Sequence, residues 1–235
     1  MPAFCKSALI IIDMQNDFIN GSLRIRNNSG DLVGQEIIPV INSILSEHKF
    51  DIIVYSLDWH PIDHLSFHTN SKFHQFKNLS NSNKLENEAD LFDEVSYDQY
   101  GRMKLWPDHC IQDTEGSQIH KDLHVVNPSY IIYKGTDKYR DGYSVFTGKT
   151  KYGYNLEKLL NDNDIGKVFI SGLALDYCVR QTSMDSVNRG YHTFVILDAT
   201  RSVTNDEDYL KLLRDELIEN KVHITDSRQI AYFLR

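Results

Sequence analysis

Cysteine is scarce in this chain. Its 235 residues include three: Cys5, Cys110 and Cys178. So sparse and odd a set argues against a disulfide framework and for a reducing compartment, so the cytoplasm is the expected location, with the nucleus also open. There is no C-x-x-C pair, which argues against a thiol redox role. No apolar run reaches the ~18 residues that would cross a bilayer. The first apolar run, "ALIII", leads straight into Asp13 with no small-residue cleavage site, so a secretory signal is not expected. Excess positive charge is missing as well. A net charge of -8 disfavours nucleic acid or an anionic membrane as the main partner. What remains has the composition of a globular protein with a real core. The length suits one large domain over residues 1–235 or two small ones, with a homo-oligomer left open.

Short apolar runs rich in β-branched residues recur along the chain. They are "SALIIID" (7–13), "DIIVYSLDWH" (51–60), "SYIIYKG" (129–135), "KVFISG" (167–172), "HTFVILDA" (192–199) and a weaker "KVHITD" (221–226). Continuous rather than alternating apolar runs fit strands covered on both faces. Helical patterns lie between them, at 33–48, in "YNLEKLLNDN", in "DYCVRQTSMDSVNRG" and at 206–221. Pro39 interrupts the first, and Gly190 is a natural cap for the third. Strand–helix alternation predicts a three-layer α/β/α fold with a mainly parallel six-stranded sheet. One segment breaks the rhythm. Residues 69–104 are polar and Asn-rich, too long for an ordinary connection, and read as an insertion near a functional edge.

Asp13, Asp58, Lys134 and Cys178 each fall at or just past the end of an expected strand. Strand ends of this kind form the ligand crevice of an open parallel sheet. Cys178 sits near the first turn of a helix, where unpaired N–H groups and the helix dipole favour a thiolate and can hold an oxyanion. A cysteine nucleophile needs a base and a cation nearby, and Asp13 and Lys134 are the right types. Taken singly, each has a plainer reading: Cys178 as core filler, Asp13 as a helix cap, Lys134 as a solvated surface lysine. In "LDWHPIDHLSFH", Asp58 and His60 are two apart on an extended segment, so both point the same way. With His109 of "LWPDHC" they make an Asp-His-His set that leaves coordination positions open, as a catalytic metal requires. His64 and His68 are further candidates, though either also reads as a neighbour of the ligands or a surface group. Cys110 is a thiolate ligand or a packing residue.

At this point the chain resembles a known family. "IIIDMQNDF", "DWHP", "WPDHC", "IYKG" and "GLALDYCV" occur in the order and spacing of the nicotinamidases, within the isochorismatase-like cysteine hydrolase superfamily, from Ala8 to about Thr200. The "DWHP…HLSF" and "WP-HC" spellings resemble the eukaryotic members in particular. The resemblance implies an isochorismatase-like, Rossmann-like fold and a nicotinamide amidohydrolase of NAD salvage working through a thioester. It implies Cys178 as nucleophile, Asp13 as base and later acid, and Lys134 as third member of the triad. It implies one divalent metal, most often zinc, on Asp58, His60 and His109. It implies an oxyanion hole from the backbone N–H groups of Ala174 and Cys178, with a cis peptide at Leu173–Ala174, and a pyridine ring held among Phe18, Trp106, Tyr143 and Tyr177. Residues 69–104 are long for the family. Another amidohydrolase of the superfamily, generally without the metal set, and a non-catalytic metal-binding scaffold are the rival readings.

Overall fold

A computed structural model describes residues 6–81 and 87–234 of the chain, so Cys5 and part of the 69–104 segment lie outside the described residues. The six expected strands form, and three short strands that were not expected lie inside the 69–104 segment. In chain order the strands are β1 (Lys6–Ile12), β2 (Ile52–Asp58), β3 (Lys77–Asn78), β4 (Glu94–Tyr97), β5 (Gly101–Lys104), β6 (Tyr130–Lys134), β7 (Ile165–Leu173), β8 (His192–Arg201) and β9 (His223–Thr225). Six of them make one parallel sheet in the order β6-β2-β1-β7-β8-β9. Successive β1 residues sort to opposite faces: Ala8, Ile10 and Ile12 enter one core, Leu9 and Ile11 the other. That division explains why the run is apolar without alternation.

The helices are α1 (Asn16–Ile19), α2 (Ile37–Glu47), α3 (His68–Ser71), α4 (Leu156–Asp162), α5 (Arg180–Asn188), α6 (Glu207–Glu219) and α7 (Ile230–Phe233). Helix α2 packs Ile37, Ile38, Ile41 and Ile44 against one face of the sheet, with Ile230 of α7 in the same core. Leu156, Leu159 and Leu160 of α4 and Leu213 and Leu217 of α6 cover the other face. The result is the expected three-layer α/β/α arrangement. Pro39 does not break α2, because it falls in the first turn, where its missing N–H would have no partner. Asn155 and Asp206 cap α4 and α6 through their side chains.

Strands β3, β4 and β5 form a separate antiparallel sheet inside the 69–104 segment. Leu65, Phe76, Val95, Tyr97, Met103 and Leu105 make a small core beneath it. Among the described residues, no helix is long and apolar enough to cross a membrane.

Sheet order dictates where a ligand can sit. The chain runs outward from β1 to β2 and β6, then returns to β7 on the other side of β1. The crevice opens at such a reversal, beyond the C-terminal strand ends. Asp13, Asp58, Lys134 and Cys178 follow β1, end β2, end β6 and follow β7, which are four neighbouring strands.

Candidate active site

Lys134 is the centre of the cluster. It is fully buried, contrary to its reading as a surface lysine. Register pairs it with Asp58 across β2 and β6. Its Nζ donates to Asp58 Oδ1 at 2.5 Å and to Cys178 Sγ at 3.3 Å, and it ion-pairs Asp13 Oδ2 at 2.8 Å. An ammonium has three protons, and these are three partners. The Asp13 contact is an ion pair at 2.8 Å, and Oδ2, which accepts from no other donor, keeps a lone pair free. Oδ1 accepts from Ser56 Oγ at 2.7 Å. Asp13 has φ +51°, a left-handed conformation that aspartate tolerates better than most residues, and β1 ends there. Asp13, Asp58 and Cys178 each offer an atom within 4.8 Å of the others. A metal ion does not suit that trio, since the Lys134 ammonium already supplies its positive charge.

Burial and charge set the protonation states. Burial raises the Asp13 carboxyl to about 6, with Lys134 opposing the shift. Burial also pushes the Cys178 thiol well above its ordinary value, although the Lys134 charge pulls it down. Desolvation thus works against the thiolate that the helix start favours, and leaves a proton for a base to take. Lys134 is itself pushed down by burial, but Asp13 and Asp58 together hold it well above the usual lysine range.

The turn after β7 presents Cys178. The Leu173–Ala174 peptide is cis. Residues Leu175–Val179 then form a π-type turn before α5 begins at Arg180, where a plain α-helical start was expected. The Ala174 carbonyl takes the N–H groups of both Tyr177 and Val179, which flank Cys178, and so widens the turn. Ala174 and Cys178 both line the adjoining pocket. Gly172 lets β7 approach β1, since a Cβ there would lie 2.1 Å from the Ile12 carbonyl oxygen.

On the far side of Asp58 stand His60 and His109, both buried. The three residues offer ligand atoms within 4.8 Å of one another. His60 Nδ1 lies 2.9 Å from the Gly135 carbonyl oxygen, and His109 Nδ1 lies 2.8 Å from that of Pro107. Each ring therefore donates through Nδ1 and turns Nε2 inward as a lone pair, the orientation a metal site requires. Those Nε2 atoms face Asp58 Oδ2 at 3.6 and 4.0 Å, too far for hydrogen bonds. Burial lowers His109 to about 4, which keeps it neutral. Burial also pulls His60 down, but the Asp58 charge more than reverses this and raises it. Asp58 thus attracts a cation to this spot, and the donor set suits a divalent ion. Gly135 is needed here, because a Cβ would meet the His60 ring at 2.4 Å.

His64 is buried against His60, but its nitrogens face Ser66 Oγ and the Arg140 carbonyl. His68 bonds the Ala89 carbonyl. Neither belongs to the ligand cluster, and Cys110 is a packing residue in the core.

Phe18, Trp106, Tyr143 and Tyr177 all line the same pocket as Cys178, Asp58, His60 and His109. Trp106 meets Tyr177 edge-on at 4.9 Å and donates from Nε1 to the Tyr143 hydroxyl, while Phe18 lies against His109. Sequence reading missed several residues. Gln15 brackets Asp58: its amide accepts from Asp58 N and donates to Asp58 O and Ser117 O. Asp17 holds the Cys110 N–H and fixes the loop bearing His109. Asp141 accepts from the Tyr143 hydroxyl and lines the pocket with Leu23 and Val203. Gln15 and Asp17 lie within "DMQNDF", but nothing local reveals partners 43 or more positions away.

The isochorismatase domain matches residues 7–227 of this chain. The chain belongs to the isochorismatase family. Within the family, it is 32% identical over 224 residues to a nicotinamidase of Acinetobacter baylyi, covering 95% of this chain and 94% of that protein. Among solved structures, a nicotinamidase/pyrazinamidase of Acinetobacter baumanii superposes with a TM-score of 0.76 at 30% identity, covering 96% of this chain and 98% of the other. A Pyrococcus horikoshii pyrazinamidase in complex with zinc superposes at 0.69 with 26% identity, covering 94% of this chain and 99% of the other. The family members thus share the sheet and helices described above.

Proposed function

We propose that this chain is a nicotinamidase, a nicotinamide amidohydrolase that turns nicotinamide and water into nicotinate and ammonia. One observation carries the reading. A single buried ammonium, Lys134 Nζ, touches the base, the nucleophile and the carboxylate of the candidate metal set. A scaffold that merely bound metal would have no use for a thiol and a free carboxylate lone pair on the same lysine. An amidase lacking the metal set would have no use for two imidazoles aimed at Asp58.

The residues account for each step. Asp13 is ionised near neutral pH, and the thiol of Cys178 is protonated until substrate arrives. Asp13 takes the thiol proton as sulfur attacks the carboxamide carbon, and Lys134 steadies the emerging negative charge. The N–H groups of Ala174 and Cys178 hold the oxygen of the tetrahedral intermediate. Asp13 returns the proton to the departing ammonia, leaving a thioester on Cys178. Asp13 then draws a proton from water, which cleaves the thioester and frees nicotinate. Trp106, Tyr143, Tyr177 and Phe18 wall in the pyridine ring. Asp58, His60 and His109 would hold a divalent ion, with zinc the first expectation. When bound, that ion supplies a Lewis-acid contact for the ring nitrogen, which orients the ring and draws electrons from it.

The test is ammonia release from nicotinamide by the purified, metal-replete protein. Release that depends on Cys178 supports the reading. No release above background overturns it and leaves the scaffold reading ahead.

A further inference from the structure

The 69–104 segment does more than decorate the sheet edge. Strand β5 and the loop after β6 line a second, open cavity of about 490 Å³ beside the active pocket. The two share Asp141, Tyr143 and Tyr177 as a common wall. Three cations line the second cavity: Arg102, Lys104 and Arg140. Arg102 and Lys104 are two apart on β5, so alternation turns them the same way, while Met103 between them enters the small core. Tyr100, between β4 and β5, stacks on Tyr139 at 4.3 Å and 9°, which brings neighbouring Arg140 to the same cavity.

Among the described residues, none of the three cations has an ion-pair partner; Lys104 instead lies over the Trp106 ring at 5.6 Å. Glu94 faces Lys104 in register, but beyond ion-pair distance. The other acid on the wall, Asp141, is engaged by the Tyr143 hydroxyl at 3.1 Å. In a chain of net charge -8, three cations against the two acids Glu94 and Asp141 leave this cavity lined with net positive charge.

We propose that Arg102, Lys104 and Arg140 form an anion subsite at the mouth of the pocket, which takes a small carboxylate or phosphate. One of its ligands rests on the nicotinamidase reading, since that substrate is neutral and its product is a carboxylate. The subsite holds departing nicotinate, or free phosphate, against the shared wall and slows entry of the next neutral substrate. Substrate itself gains nothing from it.

The variant Arg102→Gln/Arg140→Gln removes two charges and leaves Lys104 over Trp106. Inorganic phosphate is titrated calorimetrically into the parent and the variant at low ionic strength. Inhibition of nicotinamide hydrolysis by phosphate and by nicotinate is measured in parallel. The variant should weaken anion binding or inhibition on the order of tenfold, as exposed charge contacts allow, with KM for nicotinamide unchanged. A shift for phosphate alone identifies free phosphate as the ligand, and a shift for nicotinate alone identifies the product. Equal phosphate affinity and equal inhibition in both proteins would overturn the subsite. Should the double variant not fold, Arg140→Gln is read in the same way. A parent that leaves nicotinamide intact contradicts the functional reading, while the phosphate titration still decides the subsite.

Discussion

Asp13, Lys134 and Cys178 lie on one side of Asp58, with His60 and His109 on the other. All are buried, yet only the first set contains its own fixed cation. On that side Lys134 offsets two carboxylates and leaves a thiol and a free lone pair to react. On the other side two imidazoles turn lone pairs towards a carboxylate oxygen with no hydrogen bond between them. Groups of similar type and burial thus serve different chemistry. A neutralised cluster is ready for proton transfer, whereas an anion flanked by lone pairs is ready for a metal ion. Asp58 belongs to both, so it is the residue at which the two halves meet.

Lys134→Met should break the comparison most severely. It strands two buried carboxylates, and loss of one partner from such a cluster costs about 3–5 kcal/mol. Thermal melting should fall sharply and turnover should drop to background. A variant that melts like the parent would mean that the lysine does not neutralise the cluster. Asp13→Asn is narrower in scope. It keeps the shape, removes the base and should lower kcat by about 10²–10⁴-fold with metal content intact. Near-normal turnover would refute the assignment.

Gln15→Ala sharpens the other half. Loss of the amide that brackets the Asp58 backbone should weaken metal affinity by about 10–100-fold, the usual scale for supporting groups. A chelator competition assay reads this directly. The smallest effect is the pH profile. The Asp13 carboxyl is raised to about 6, and only its ionised form accepts the thiol proton. So kcat/KM should level off above that value and fall as pH drops through it. A flat profile down to pH 5 would remove Asp13 as the base.

The strands were legible because each is a β-branched apolar run ending in a polar residue. Asp13, Asp58, Lys134 and Cys178 stood out only as a set of four complementary groups at strand ends, because each taken singly has a plainer structural use. Their protonation was not legible. Helix position argued for a thiolate at Cys178, but desolvation dominates, and desolvation depends on packing from distant parts of the chain. The burial of Lys134 escaped for the same reason. Ser56 and Gln15 went unnoticed because their partners, Asp13 and Asp58, are 43 residues away and meet them only across strands. The antiparallel sheet within 69–104 was hidden by short strands and a polar composition.

Metal content measured beside ammonia release, in the parent, Cys178→Ala and His109→Ala, tests the division at Asp58 most directly. Cys178→Ala should lose turnover and keep its metal at the parental stoichiometry, because the thiol faces Lys134 and not the imidazoles. His109→Ala should lose metal and turnover together. If Cys178→Ala lost its metal stoichiometrically, the thiol would be a ligand and the separation of the two clusters would be wrong.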